Sequence, residues 1–157
     1  MGMTSKIDGA SVRPAGRDGI PVRQTAALCY RRNALGIEVL LVKSSRGRWI
    51  LPKGWPEIGR SLAHTARTEA WEEAGVASGE IATTPVATVP SVKERGDRRV
   101  ESRITVFPLE VDEMARRYPE AGERERRWYP LATAIDAIDD DGMRLALTEF
   151  ADTTDTD

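Results

Sequence analysis

Residues 54–76, GWPEIGRSLAHTARTEAWEEAGV, combine a loop containing glycine and proline with the clearest helical pattern in the chain. Ser61 is a typical N-cap residue, and good helix formers run from residue 62 to residue 74. Gly75 is the residue type that most often ends a helix in the left-handed conformation. We therefore predict a helix over residues 62–74, entered through the loop at residues 53–60.

Three carboxylates share one face of this predicted helix. Glu69, Glu72 and Glu73 are spaced i, i+3 and i+4, so their side chains fall within an arc of about 100°. Small residues fill the adjacent arc, which should pack on a sheet: Leu62, Ala63, Ala66, Ala70 and Ala74. The like charges destabilise an isolated helix, and Mg²⁺ prefers such oxygen ligands. A solvated acidic face is the alternative, and the bare E-x-x-E-E pattern favours it.

The wider spacing resembles the signature of the Nudix hydrolases, G-x5-E-x7-R-E-U-x-E-E-x-G-U, in which U is aliphatic. The chain matches it at Gly54, Glu69, Ala70, Glu72, Glu73, Gly75 and Val76. The segments R-W-I-L-P-K-G before it and R-R-W-Y-P-L-A-T-A-I after it extend the resemblance over about residues 23–150. The sequence departs from the signature at Arg60 and Thr68, and either Glu57 or Arg67 could substitute for the missing charges.

The resemblance implies an α/β fold, namely a Nudix-type α/β/α sandwich with a mixed β-sheet. It also implies hydrolysis of a diphosphate linkage in a polyphosphorylated small molecule. By match to the motif, Glu69 and Glu73 would bind the metal, Mg²⁺ with Mn²⁺ as the alternative ion. Glu72 would be the catalytic base or a further ligand, and the backbone at Gly54 would approach the metal closely.

The substrate-binding residues follow from a likeness to the diphosphoinositol polyphosphate and diadenosine polyphosphate hydrolases, which share V-x-S-S-R and W-x-x-P-x-G segments. The implied polyphosphate site consists of Ser44, Ser45, Arg46, Lys53, Gly54 and Arg103, with Arg23, Arg124 and Arg126 as lesser candidates. A nucleoside triphosphate or nucleoside diphosphate derivative is the alternative substrate. The two departures from the signature leave open a non-catalytic ligand sensor.

The remaining sequence predicts strands interleaved with helices. Residues 24–31 and 37–43 should form a hairpin, and residues 49–51, 82–92, 99–111 and 128–129 further strands. Residues 131–138 and 143–150 have helical spacing. We expect a loose arm at residues 1–19, the hydrolase domain at residues 20–151 and a disordered acidic tail at residues 152–157.

Composition restricts the chemistry of the 157-residue chain. One cysteine, Cys29, and one histidine, His64, exclude a disulfide framework or a structural zinc site of several such ligands. We expect Cys29 to be buried and His64 to be exposed. A net charge of −2 argues against a nucleic-acid partner, and the lack of a long apolar run argues against a membrane segment. We therefore expect a cytoplasmic protein. The oligomeric state stays open.

Overall fold

The computed structural model describes residues 22–95 and 98–155. The strands are β1 (Val22–Asn33), β2 (Gly36–Lys43), β3 (Trp49–Ile50), β4 (Lys53–Gly54), β5 (Val76–Ile81), β6 (Ala87–Arg95), β7 (Arg98–Met114) and β8 (Arg126–Pro130). The helices are α1 (Leu62–Ala74), α2 (Leu131–Ala137) and α3 (Asp141–Asp155). The predicted arm at residues 1–19 and the turn residues 96 and 97 lie outside this part of the chain.

The strands form one mixed sheet, in the order β3-β2-β1-β7-β5. Strands β1 and β7 run parallel over nine registered pairs, from Val22 with Ser102 to Tyr30 with Glu110. The other pairings are antiparallel: β1 pairs with β2, β2 with β3, β4 with β1, β5 with β7, β6 with β7, and β8 with β2. The predicted β1–β2 hairpin is confirmed, with Asn33 opposite Gly36 at its turn.

Alternating residues of the central strands build a separate apolar core on each face of the sheet. On one face, Ala26, Leu28 and Leu41 pack with α2 and α3. On the other face, Ala27, Cys29 and Leu40 pack against the alanines of α1. The expected α/β/α sandwich is therefore confirmed, and its three layers follow from the two-residue period of the strands.

Helix α1 has the predicted limits and both predicted caps. The Ser61 hydroxyl accepts a hydrogen bond from the His64 backbone N–H at 3.0 Å. Gly75 adopts the left-handed conformation, with φ of 73°, and its N–H bonds back to the last turn. Ala66, Ala70 and Ala74 are fully buried. Because these side chains are small, the helix lies close to the sheet and holds its glutamates at the margin of the core.

Two predicted boundaries were wrong. Residues 82–86 are not strand, and the unpredicted strand β5 precedes them at Val76–Ile81. The sequence of β5 does not alternate between apolar and polar residues, because Gly79 stands where a packing side chain would be expected. A Cβ atom at this position would lie 2.4 Å from the Glu110 carbonyl oxygen, so only glycine fits. The second error concerns the acidic tail, because α3 continues to Asp155 and residues 152–155 are helical. Residues 156 and 157 lie outside the described residues.

Candidate active site

A pocket of about 660 Å³ opens beside α1 and the loops that enter and leave the sheet. Most of the predicted site residues line it: Ser44, Ser45, Arg46, Lys53, Gly54, Glu69, Glu72 and Glu73. The other lining residues among those described are Gln24, Arg48, Ile50, Trp55, Ser91, Glu120, Arg124, Asp139 and Asp140. The fold thus gathers carboxylates, cations and neutral polar groups around one cavity.

The three helix carboxylates are half-buried at the wall of this pocket. Burial, together with the negative charges of Glu73, Glu72 and Glu120, raises the pKa of Glu69 to about 8. Burial also raises the pKa of Glu73, although the Arg124 guanidinium and the Lys53 backbone N–H oppose this rise. The carboxylates of this helix face therefore lie in a partly desolvated part of the pocket. Their ionisation costs free energy there unless a cation is bound.

Gly54 lies directly against the first of these carboxylates. A Cβ atom at this position would be 2.2 Å from Glu69 Oε2 and 2.4 Å from Glu69 Cδ, so only glycine leaves room for the carboxylate. The neighbouring Lys53 backbone N–H donates to Glu73 Oε1 at 3.3 Å. Strand β4 therefore positions two of the three helix glutamates through its backbone.

A fourth carboxylate, Glu120, was not identified from the sequence. It lies in the loop at residues 115–125 between β7 and β8, and its backbone N–H donates to the Glu72 carbonyl oxygen at 3.0 Å. Its side chain forms an ion pair with Arg124, with 2.9 Å between Glu120 Oε1 and Arg124 Nη2. Glu120 belongs to no motif, and about 50 residues separate it from the helix, so no local pattern could have revealed it.

The acidic wall suits a hydrated divalent cation. In residues 22–95 and 98–155, no three carboxylate, imidazole or thiol groups converge closely enough to enclose a metal ion. Mg²⁺ does not require such a cage, because it keeps several waters and is usually bound by one or two carboxylates together with substrate phosphates. Neighbouring carboxylates of raised pKa form a donor set that such an ion neutralises. The residues present therefore fit the predicted metal.

The basic turn at residues 44–48 forms another wall of the pocket. Ser44 Oγ accepts hydrogen bonds from the backbone N–H groups of Arg46 at 3.3 Å and Arg48 at 3.2 Å. The hydroxyl predicted to bind substrate therefore also shapes the turn. Arg124, a lesser candidate in the sequence, also lines the pocket and is within 3.5 Å of the Lys43 carbonyl oxygen through Nη1.

Arg103 is not among the described residues that line the pocket, so its predicted role in substrate binding stays a prediction. Its neighbours Ser102 and Ile104 are buried, whereas the side chain of Arg103 alternates with them along β7 and is exposed. Arg23, its registered partner on β1, is exposed as well. Neither arginine is among the described lining residues.

The residues considered as substitutes for the missing motif charges also lie outside the pocket lining. Arg67 donates to the carbonyl oxygens of Val76 and Ala77, both at 3.1 Å. Glu57 lies 3.8 Å from His64 Nε2 through its Oε1. His64 is exposed and Cys29 is fully buried, as predicted. Burial raises the pKa of Cys29 to about 12, which leaves its thiol unreactive.

The end of the pocket near the start of α3 has a different chemistry. Asp140 caps α3 by accepting from the Met143 N–H at 2.8 Å, and it accepts from Ser91 Oγ at 2.6 Å. Asp139 Oδ2 accepts from the Trp49 N–H at 2.8 Å. Gln24 is 3% exposed and reaches the pocket from β1. This end offers hydrogen-bond acceptors and negative charge.

Comparison with known proteins agrees with this arrangement. The NUDIX domain family model matches residues 22–149. The chain is 34% identical over 126 residues to Nudix hydrolase 21, chloroplastic, of Arabidopsis thaliana, a match covering 77% of this chain and 61% of that protein. It is 29% identical over 137 residues to the 8-oxo-dGDP phosphatase NUDT18 of Homo sapiens, covering 82% and 41%. The chain therefore spans between 41% and 61% of the length of these relatives.

Solved structures share the fold. An Ap4A hydrolase from C. elegans in a binary complex has a TM-score of 0.62 at 20% identity, over 86% of this chain and 98% of that chain. The NUDIX domain of Shewanella oneidensis NrtR complexed with ADP ribose has a TM-score of 0.67 at 20% identity, over 86% and 89%. None of the helices in the described residues is long and apolar enough to cross a bilayer.

Proposed function

This chain belongs to the Nudix family, and we propose that it is a pyrophosphohydrolase that uses a divalent cation to hydrolyse a diphosphate linkage in a small molecule. One observation carries the proposal: the carboxylates of α1, Glu120 and Gly54 line one pocket, with the basic turn at residues 44–48 as a further wall. Opposed charges of this kind suit a cation and the phosphates bound to it.

The proposed roles come from the match to the family motif, and the pocket lining supports them. Glu69 and Glu73 would hold Mg²⁺, with Mn²⁺ as a substitute, and Glu120 is placed to contribute a further carboxylate. When bound, the ion neutralises charge on the diphosphate. Glu72 would accept the proton of the attacking water while the new P–O bond forms and the phosphoanhydride bond breaks. Arg46, Lys53 and Arg124 would hold the phosphates, because cationic donors bind phosphate oxygens strongly.

The pocket favours a substrate that contains a nucleoside. A ring bearing several phosphates would bring negative charge against Asp139 and Asp140, whereas a nucleobase offers N–H donors to these carboxylates and to Gln24. We therefore place dinucleoside polyphosphates and nucleoside diphosphate derivatives ahead of diphosphoinositol polyphosphates. The name of the human relative, an 8-oxo-dGDP phosphatase, and the ADP ribose complex of the structural neighbour support the same choice.

The test is product release from four substrates, namely diadenosine tetraphosphate, 8-oxo-dGDP, ADP-ribose and a diphosphoinositol polyphosphate, with Mg²⁺, with Mn²⁺ and with EDTA. We expect metal-dependent turnover of a nucleoside substrate and its collapse in Glu72→Gln and Glu73→Gln. Glu149→Gln, an exposed change on α3, is the matched control. Binding of a substrate without any turnover would overturn the proposal of an enzyme and favour a non-catalytic ligand sensor. Turnover of the inositol compound alone would overturn only the substrate choice.

A cytoplasmic location also remains a proposal. The sequence supports it, but the curated relatives include proteins named chloroplastic and mitochondrial. Cell fractionation followed by immunodetection of the full protein would decide the location.

A further inference from the structure

Arg126, on β8, joins the end of helix α1 to the loop that carries Glu120. Its Nη1 donates to the Ala74 carbonyl oxygen at 2.7 Å, and its Nη2 donates to the Ala115 carbonyl oxygen at 2.9 Å. Ala74 is the last residue of α1, and Ala115 is the first residue after β7. One half-buried guanidinium therefore bridges two segments that are about 40 residues apart in the chain.

Further contacts hold this junction in one arrangement. The Ala115 N–H donates to the Gly75 carbonyl oxygen at 2.7 Å. The Arg126 guanidinium lies 4.8 Å from the ring centre of Tyr118, whose ring is 6.5 Å from that of Trp71 on α1. A Cβ atom on Gly75 would lie 2.5 Å from Arg126 Nη1 and 2.6 Å from Tyr118 Cδ1. Gly75 is thus required both for its left-handed φ and for the space that Arg126 and Tyr118 occupy.

Glu120 lies in the loop that these contacts join to the end of α1. Glu120 follows Tyr118 by two residues, and its N–H is bonded to the Glu72 carbonyl oxygen at 3.0 Å. Its side chain lines the same pocket as those of Glu69 and Glu73. If the loop moved away from the end of α1, the cation site would lose one wall.

We propose that Arg126 is a positioning residue that fixes the distance between Glu120 and the carboxylates of α1, and thereby sets the affinity of the site for a divalent cation. The inference rests on the proposed function. It assigns Arg126 a role other than phosphate binding, because both of its Nη atoms are engaged by backbone carbonyls. A lysine could not replace it, because a single ammonium lacks the planar fork that reaches two carbonyls.

Arg67 provides a matched control within the same fold. It also bridges two backbone carbonyls just beyond the end of α1, those of Val76 and Ala77, but these belong to β5 and not to the Glu120 loop. Arg67→Lys and Arg126→Lys therefore remove the same type of bridge and keep the same charge. Only Arg126→Lys should change the cation site.

The experiment is isothermal titration of the full chain with Mn²⁺ in the absence of substrate. We expect Arg126→Lys and Glu120→Gln each to weaken binding by roughly tenfold, the lower end of the range for outer partners of metal ligands. The double variant should bind no more weakly than either single variant, because both remove the contribution of Glu120. Arg67→Lys should bind as the wild type does. Tyr118→Leu, which removes the ring under the guanidinium, should weaken binding in the same direction.

Each outcome has a distinct meaning. Unchanged binding by Arg126→Lys, equal weakening by Arg67→Lys, or fully additive losses in the double variant would overturn the positioning role and leave the hydrolase proposal intact. Wild-type protein that binds no Mn²⁺ would overturn the proposed function and this inference together. Circular dichroism of every variant shows whether lost binding reflects lost folding. If Arg126→Lys does not fold, Tyr118→Leu and its combination with Glu120→Gln provide the same comparison.

Discussion

Gly54 and Glu69 show how closely the chemistry of this site depends on single atoms. The glutamate occupies the space that any Cβ atom at position 54 would need. Burial of the same glutamate and the neighbouring negative charges together raise its pKa to about 8. Gly54 thus leaves the space, and Glu69 fills it with a carboxylate whose negative charge destabilises the fold unless a cation is bound.

The stability of the metal-free protein should fall as the pH rises. The pKa of Glu69 is raised from its ordinary value of 4.5 to about 8, mainly by burial. A folded state that holds the proton more tightly than the unfolded state is favoured at low pH and loses that advantage between about pH 4.5 and pH 8. Thermal unfolding in EDTA should therefore show a lower midpoint at pH 8 than at pH 5.

The titration of Glu69 also predicts how a divalent cation changes the midpoint of thermal unfolding. Mg²⁺ should raise it more at pH 8 than at pH 5, because the ion binds the ionised carboxylates. Glu69→Gln should reduce the pH dependence, whereas the exposed control Glu149→Gln should keep it. A wild-type midpoint that is independent of pH over this interval in EDTA would contradict the prediction.

Gly54→Ala should leave the fold intact but weaken the binding of Mn²⁺. The added methyl group meets the far end of the flexible Glu69 side chain, so the carboxylate rather than the backbone must move. We expect a loss of about tenfold in affinity, measured by calorimetric titration. Gly122→Ala is the control, because a Cβ atom there meets nothing within 4 Å. Equal affinities for the two variants would show that the position of Glu69 is not critical.

At the scale of elements, helix α1 is specified almost entirely by its own sequence. Its N-cap, its alanine stripe and its C-terminal glycine act within a few residues of one another, and the helix has the predicted limits. The loop at residues 115–125 is the opposite case. Contacts with distant parts of the chain hold it, including Arg126 with Ala115 and Glu120 with Glu72. Such contacts cannot be predicted from the local sequence.

Removal of the N-cap of α1 should destabilise the protein measurably. Ser61→Ala deletes the acceptor for the His64 N–H, and we expect the free energy of unfolding to fall by about 1 kcal/mol. Ser61→Asp should retain most of the stability, because aspartate also caps helices and its charge suits the positive end of the helix dipole. Urea denaturation compares the two variants. Equal losses would argue against the cap as the cause.

At the scale of the whole molecule, one sheet separates two cores that share the same strands. Leu40 and Leu41 are adjacent on β2, both are fully buried, and they belong to opposite faces. The layer with α1 carries the carboxylates, whereas the layer with α2 and α3 supplies Asp140 at the other end of the pocket. The site therefore requires both layers to be folded.

Leu40→Ala and Leu41→Ala should each lower the free energy of unfolding by about 2–5 kcal/mol, as expected for a large-to-small change in a packed core. Because both cores use the same strands, we expect one cooperative transition for each variant. Tryptophan fluorescence and circular dichroism during urea denaturation should give coincident curves. Separate transitions for the two probes would mean that the layers unfold independently.

The sequence by itself determined the fold class, helix α1 with its caps, the hairpin and the acidic helix face, because each depends on periodicity or on residue types a few positions apart. It missed β5, where Gly79 interrupts the pattern, and it ended the last helix at residue 150, although the five following residues, 151–155, are helical. The residues of the Nudix motif lie at one pocket because the motif covers both the loop at residues 53–60 and helix α1.

Only the tertiary structure decided which distant residues join them. It brings Glu120 and Arg124 to the carboxylates, places Asp139 and Asp140 at the other end of the pocket, and leaves Arg103 outside the described lining. Contacts with distant elements hold the loop that carries Glu120. Side-chain alternation along β7 sets the position of Arg103, because a one-residue shift moves a side chain to the opposite face of the sheet. Local residue patterns specify the elements, whereas the composition of the site depends on how the elements are paired.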